Sequence, residues 1–127
     1  MLKEIIHDLN KLKDDKKIAG QQRFFKTGKG EYGEGDVFIG VSVPELRKIA
    51  RKYKNLELDS LQTLLNSEIH EHRLTALFIL RLQYEKSKDD NDKKVICDFL
   101  IKNIQGINNW DLVDSSAHYI LGDYLLD

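Results

Sequence analysis

Apolar residues return every three or four positions along almost the whole chain, which is the period of an amphipathic helix. The one strand-like piece, Val37-Phe38-Ile39, is too short and isolated to imply a sheet, so the sequence predicts an all-α fold. Leu2, Ile5, Ile6, Leu9 and Leu12 trace one face of a first helix, and a short second helix is expected over Gln22 to Lys26. A glycine-rich loop runs from Gly28 to about Gly40. Ser42 then opens a capping box with Glu45, with Pro44 in the first turn, where its missing N–H costs nothing. Leu46, Ile49, Ala50 and Tyr53 form the buried stripe of that helix. Asp59 with Gln62 resembles a second capping box on a short helix. The next helix is expected from about Ser67 to Glu85; its centre, Leu74 to Leu80, is apolar nearly all round and should lie between neighbours. Asn91 is expected to cap a helix with Val95, Ile96, Phe99, Leu100 and Ile104 inward, and Asn109 to cap the last.

Helices in pairs joined by short polar loops suggest HEAT-like helical repeats, an α-solenoid, with a plain bundle as the alternative. All 127 residues are read as one helical-repeat domain, long enough to bury a real core. The last helix carries Val113, Ala117, Ile120, Leu121, Tyr124 and Leu125, and no later helix follows to cover this stripe. The expectation is therefore a domain truncated at its C-terminal side. The single cysteine, Cys97, sits in an apolar helical pattern and reads as a small core residue. With a charged, helical start and no apolar run of membrane-spanning length, this points to a cytoplasmic protein without a membrane partner.

A formal net charge of −1 argues against coating nucleic acid through bulk charge, but not against a local basic surface. Such a surface is offered by the Ser42-capped helix, where Arg47, Arg51 and Lys54 line one edge opposite the buried stripe, with Lys48 and Lys52 beside them. The bland alternative is a solvated helix face. Gly28-x-Gly30-x-x-Gly33 has the letters of a dinucleotide fingerprint but follows a helix, and no helix opens at its end. It is either a flexible connector or a loop whose N–H groups, with Lys26 and Lys29, touch DNA phosphates. His70 and His72 are two apart on a helix and project to different sides, so no metal site is expected and exposed or capping roles are.

Trp110 and Asp114 are four residues apart, one above the other on a helix, with Asp114 at the edge of an apolar stripe. A carboxylate there needs a cationic neighbour. Either Trp110 is core and Asp114 pairs with a neighbouring helix, or the two act on a developing cation. His118, one turn after Asp114, could hydrogen-bond it.

Three segments together carry a family resemblance. Phe24 to Asp36, followed by Phe38-Ile39-Gly40-Val41 and Pro44, is similar to the opening signature of the DNA alkylation repair (AlkD-like) family. His70-Glu71-His72-Arg73 resembles its middle region. Trp110-Asp111-Leu112-Val113-Asp114, with Leu121-Gly122-Asp123, resembles its active-site helix. The resemblance implies a curved stack of HEAT-like repeats gripping duplex DNA and excising N3- and N7-alkylated purines without metal or organic cofactor. It places the catalytic pair at Trp110 and Asp114. It also implies an arginine in a later helix, which has no counterpart here, so this piece alone is expected to be inactive. Because some relatives keep the fold without glycosylase activity, a non-catalytic DNA- or protein-binding module is the alternative.

Overall fold

The computed structural model describes residues 1–18, 37–104, 119–120 and 122–123, and these are helical wherever they are regular. The helices described over their whole length are α1 (Leu2–Lys11), α2 (Val43–Lys52), α3 (Leu58–Leu65), α4 (His70–Lys86) and α5 (Asp90–Ile104). The fold is all-α, as the periodicity requires. The expected helix at Gln22–Lys26 and the Asn109 cap lie outside the described residues. Among the described residues, no helix is long and apolar enough to cross a membrane.

The faces read from the sequence are the ones buried. Ile5 and Leu9 of α1 are fully buried, and Leu2, Ile6 and Leu12 pack against the core they enter. In α2, Leu46, Ile49 and Ala50 are buried, as is Tyr53 just beyond it. The capping box forms as expected: the Glu45 carboxylate accepts from the Ser42 hydroxyl at 2.8 Å and from the Ser42 N–H at 3.4 Å. Helix α4 runs through the middle, contacting α1, α2, α3 and α5. Ala76 to Leu80 are accordingly buried on every side. Cys97 is buried in the same core, and desolvation pushes its thiol up to about 11, leaving it un-ionised and unreactive at neutral pH.

The segment before α2 is fixed by one carboxylate. Glu71, 1% exposed, accepts hydrogen bonds from three successive backbone N–H groups: Ile39 at 3.2 Å, Gly40 at 2.9 Å and Val41 at 3.2 Å. Three consecutive N–H groups converge on one anion only if the chain curls into a nest, and Gly40 supplies the left-handed residue at φ +79°. A Cβ there would stand 2.0 Å from the Asp14 carbonyl oxygen, so glycine is also required by close packing. The same segment receives the Asp14 N–H on the Ile39 carbonyl at 2.9 Å and forms a single parallel bridge between Val37 and Ile69. Glu71 lies in the first turn of α4, where the helix dipole also favours a negative charge.

That bridge explains why α4 starts at His70 rather than near Ser67. The His70 N–H donates to the Val37 carbonyl at 2.8 Å, which holds Ile69 extended. It also overturns the expectation of exposed or capping histidines. His70 is buried with its ring 4.8 Å from that of Phe38, and His72 is buried with Nδ1 3.0 Å from the Ser67 hydroxyl. Other boundaries differ for equally local reasons. Gln62 forms no cap with Asp59; its amide reaches Asn66 at 3.1 Å and also Asn103 of α5, and α3 starts after Glu57. Asn91 lies inside α5, and the Asp89 carboxylate takes its N–H at 2.9 Å as the cap. Val95, expected inward, is 52% exposed, because the face turned to the core is set by Ile96, Cys97 and Leu100.

Two predictions follow from these contacts. Glu71→Ala strands three buried N–H donors and is expected to lower stability by about 2–4 kcal/mol in urea unfolding, with Glu71→Gln intermediate. His72 ionises less readily than usual, mainly because burial disfavours the cation, with Arg73 adding to this against Glu71. Below the ordinary histidine value of about 6.5, the unfolded chain takes up a proton that the folded chain refuses, so stability should fall as pH drops through that range. His72→Asn should flatten this part of the stability–pH curve.

Candidate nucleic-acid interface

Helices α2 and α4 face each other along two matched stripes. Arg47, Ala50 and Arg51 occupy positions i, i+3 and i+4 of α2, while Phe78, Arg81, Leu82 and Glu85 occupy i, i+3, i+4 and i+7 of α4. Together they line a surface groove of about 220 Å³. Its floor is apolar, with Ala50 and Phe78 buried, and its rim carries three guanidinium groups against one carboxylate. The Arg47 guanidinium sits 4.8 Å above the centre of the Phe78 ring. Arg81 donates from Nε to Glu85 at 2.8 Å and lies 4.3 Å over the ring of Tyr119. Among the described residues, Arg51 has no carboxylate at ion-pair distance.

This arrangement refines the basic edge read from the sequence. Arg47 and Arg51 do share an edge, but that edge flanks the buried stripe and faces α4, rather than standing opposite it. Lys48 is exposed on α2 and is not part of the groove. Lys52 is turned to α1, where its ammonium meets Asp8 at 2.8 Å beside the Tyr53 hydroxyl at 2.6 Å. The hydrogen bond from Lys52, then that from Tyr53, holds the Asp8 carboxyl below its usual range. Lys54 contributes its backbone carbonyl to Gln83, at 3.0 Å. Lys26, Lys29, Trp110 and Asp114 lie outside the described residues, as does His118.

Arg81 was missed by sequence reasoning. A cation between Leu80 and Leu82, three residues after Phe78, was the available signal: a charge inside an otherwise apolar helix must reach a surface or a partner. It does both, and it joins the groove to the C-terminal segment. There Tyr119 lies under Arg81, Ile120 is fully buried, and the Asp123 carboxylate accepts from the Tyr84 hydroxyl at 2.6 Å. Ile120, one member of the terminal apolar stripe, is thus covered by this chain itself. Tyr84 and Tyr119 meet edge to face with ring centres 6.4 Å apart. Among the described residues, no cluster of three or more His, Cys, Asp or Glu side chains is arranged to hold a metal ion.

An all-α chain with an arginine-lined groove beside its C-terminal segment is thereby defined. The family model described as DNA alkylation repair enzyme matches residues 5–127, and the chain belongs to that family. The family gives it a role in DNA repair, with DNA as the substrate. No curated protein and no solved structure matches the chain.

The Tyr84–Asp123 bond is expected to carry the docking of the C-terminal segment on α4. Tyr84→Phe removes a hydrogen bond to a charged group and should cost about 1.5–3 kcal/mol in thermal or urea unfolding. Hydrogen exchange should rise at Tyr119–Ile120 before it rises in α4.

Proposed function

We propose that this protein is an alkylpurine DNA glycosylase, built of HEAT-like helical repeats, that removes N3- and N7-alkylated purines from duplex DNA. The observation that carries the reading is the family match over residues 5–127, a span that includes the glycine-rich loop, α2 and the Trp110–Asp114 run. The groove adds a physical reason for DNA to be held, since its three guanidinium groups suit a phosphate backbone.

The chemistry asks little of the protein. An alkylated purine is cationic and leaves as a neutral base when the bond from C1′ to its ring nitrogen breaks. The electron pair goes to the base and the sugar becomes oxocarbenium-like. The carboxylate of Asp114 stabilises that charge and orients a water, which adds to C1′ and gives up its proton to that carboxylate. The indole of Trp110 packs against the sugar or the cationic base, a contact worth roughly 0.5–2 kcal/mol. The reading needs no metal or organic cofactor. Lys26, Lys29, Arg47, Lys48 and Arg51 hold the phosphate backbone and set the register of the duplex.

Purine release from methylated duplex DNA tests this directly. Asp114→Asn should release base at least about tenfold more slowly than the wild-type protein, the equivalent of roughly 1.4 kcal/mol of transition-state stabilisation. DNA binding should be retained. Tight DNA binding with no base release, by protein that also carries the later-helix arginine implied by the family resemblance, would replace the enzymatic reading with that of a non-catalytic DNA-binding module.

A further inference from the structure

We propose that Arg47, Arg51 and Arg81 close together on one phosphodiester of the DNA backbone, as a clamp of three guanidinium groups on a single anion. The proposal rests on duplex DNA being the partner, and it assigns Arg81, from a different helix, to the same contact as Arg47 and Arg51. All three line one groove of about 220 Å³. That volume is below the roughly 300–1,000 Å³ of pockets that enclose drug-sized ligands, and it leaves room for a phosphate group.

The chemistry of the rim selects that anion. The planar fork of arginine matches phosphate oxygens two at a time, which a lysine ammonium does not. Two of the three forks are already positioned. Arg47 rests on Phe78 at 4.8 Å, and Arg81 is set by Glu85 at 2.8 Å and by the Tyr119 ring at 4.3 Å. Ordering them therefore costs little when the ligand arrives. The single carboxylate on the rim, Glu85, is held at Nε of Arg81, which leaves that residue's two terminal nitrogens for a second acceptor. The floor of Ala50 and Phe78 supplies no competing acceptor and lowers the local dielectric, which strengthens the contact.

Salt-dependent binding distinguishes a shared phosphate from three separate ones. The logarithm of the binding constant for an undamaged duplex falls with the logarithm of salt concentration, with a slope set by the number of phosphates neutralised. Fluorescence anisotropy between about 50 and 200 mM salt should show that Arg47→Gln, Arg51→Gln and Arg81→Gln each weaken binding but change this slope by well under one, because the two remaining guanidinium groups still neutralise the phosphate. The triple variant should reduce the slope by about one. Lys94→Gln on α5 removes an equal charge away from the groove and should leave the slope nearly unchanged. Circular dichroism melting verifies folding, and Arg81→Met, which also removes the charge, replaces Arg81→Gln if the latter melts early. A triple-variant loss of about three overturns the shared clamp in favour of separate contacts. An unchanged slope in the triple variant, or a loss of about one in Lys94→Gln, overturns the groove as a phosphate site. Wild-type protein that does not bind DNA even at low salt overturns the DNA reading and the clamp with it, whereas binding without base release, by protein that also carries the later-helix arginine, overturns the glycosylase reading alone.

Discussion

The Glu71 carboxylate holds together parts of the chain that no local propensity would join. It is buried, and an isolated ionised carboxylate in that position would be far too costly to keep. Three N–H groups of residues 39–41 replace its water, and in doing so they fix the path of the segment that leads into α2. That path brings Ile39 and Val41 into the core, seats Gly40 on the Asp14 backbone and aligns Val37 with Ile69. The start of α4, the end of α1 and the entry to α2 are therefore set by one anion and one left-handed glycine.

With that corner fixed, α2 and α4 have little freedom to slide. Their facing stripes combine small and large residues, Ala50 against Phe78, so the backbones approach closely below while the long arginine side chains stand at the rim. The groove is thus a consequence of packing. Its cations sit where two helices that must be adjacent leave a furrow between them. Arg81 then extends the arrangement to the C-terminal segment, which Tyr84 and the buried Ile120 secure against the same helix.

Much of the local architecture was legible in the sequence. The stripes of α1 and α2, the Ser42–Glu45 capping box and the all-round burial of the middle of α4 follow from three- and four-residue spacing, and spacing is a local property. What escaped was long-range. The roles of Glu71, His70 and His72 depend on residues 37–41 and on Ser67, and no periodicity shows which side of a helix a distant loop will cover. Gln62 left its expected cap because Asn103 on another helix competes for it. In the groove, Arg47 and Arg51 were legible as a basic edge, but its direction was not. Arg81 joins them only through the register of two helices, and Trp110 and Asp114 rest on the family match and the sequence pattern alone.

A net charge of −1 and a cationic groove are compatible because several acidic side chains are engaged elsewhere. Glu71 is consumed by backbone N–H groups, Asp8 by Lys52 and Tyr53, Asp123 by Tyr84, Glu45 by the Ser42 cap and Asp89 by the start of α5. Each of these carboxylates is held by its own fold contact and stays away from the furrow between α2 and α4. A Debye length of about 10 Å at 0.1 M salt then confines what an approaching phosphate experiences to the side chains nearest it. Among the described residues, the charged groups that line the furrow are three guanidinium groups and Glu85, which make its lining cationic whatever the sum over the chain. Net charge excludes a protein that binds DNA over its whole surface. It leaves open, and this distribution of carboxylates favours, one that grips the backbone at a few fixed points and leaves the bases to be read elsewhere.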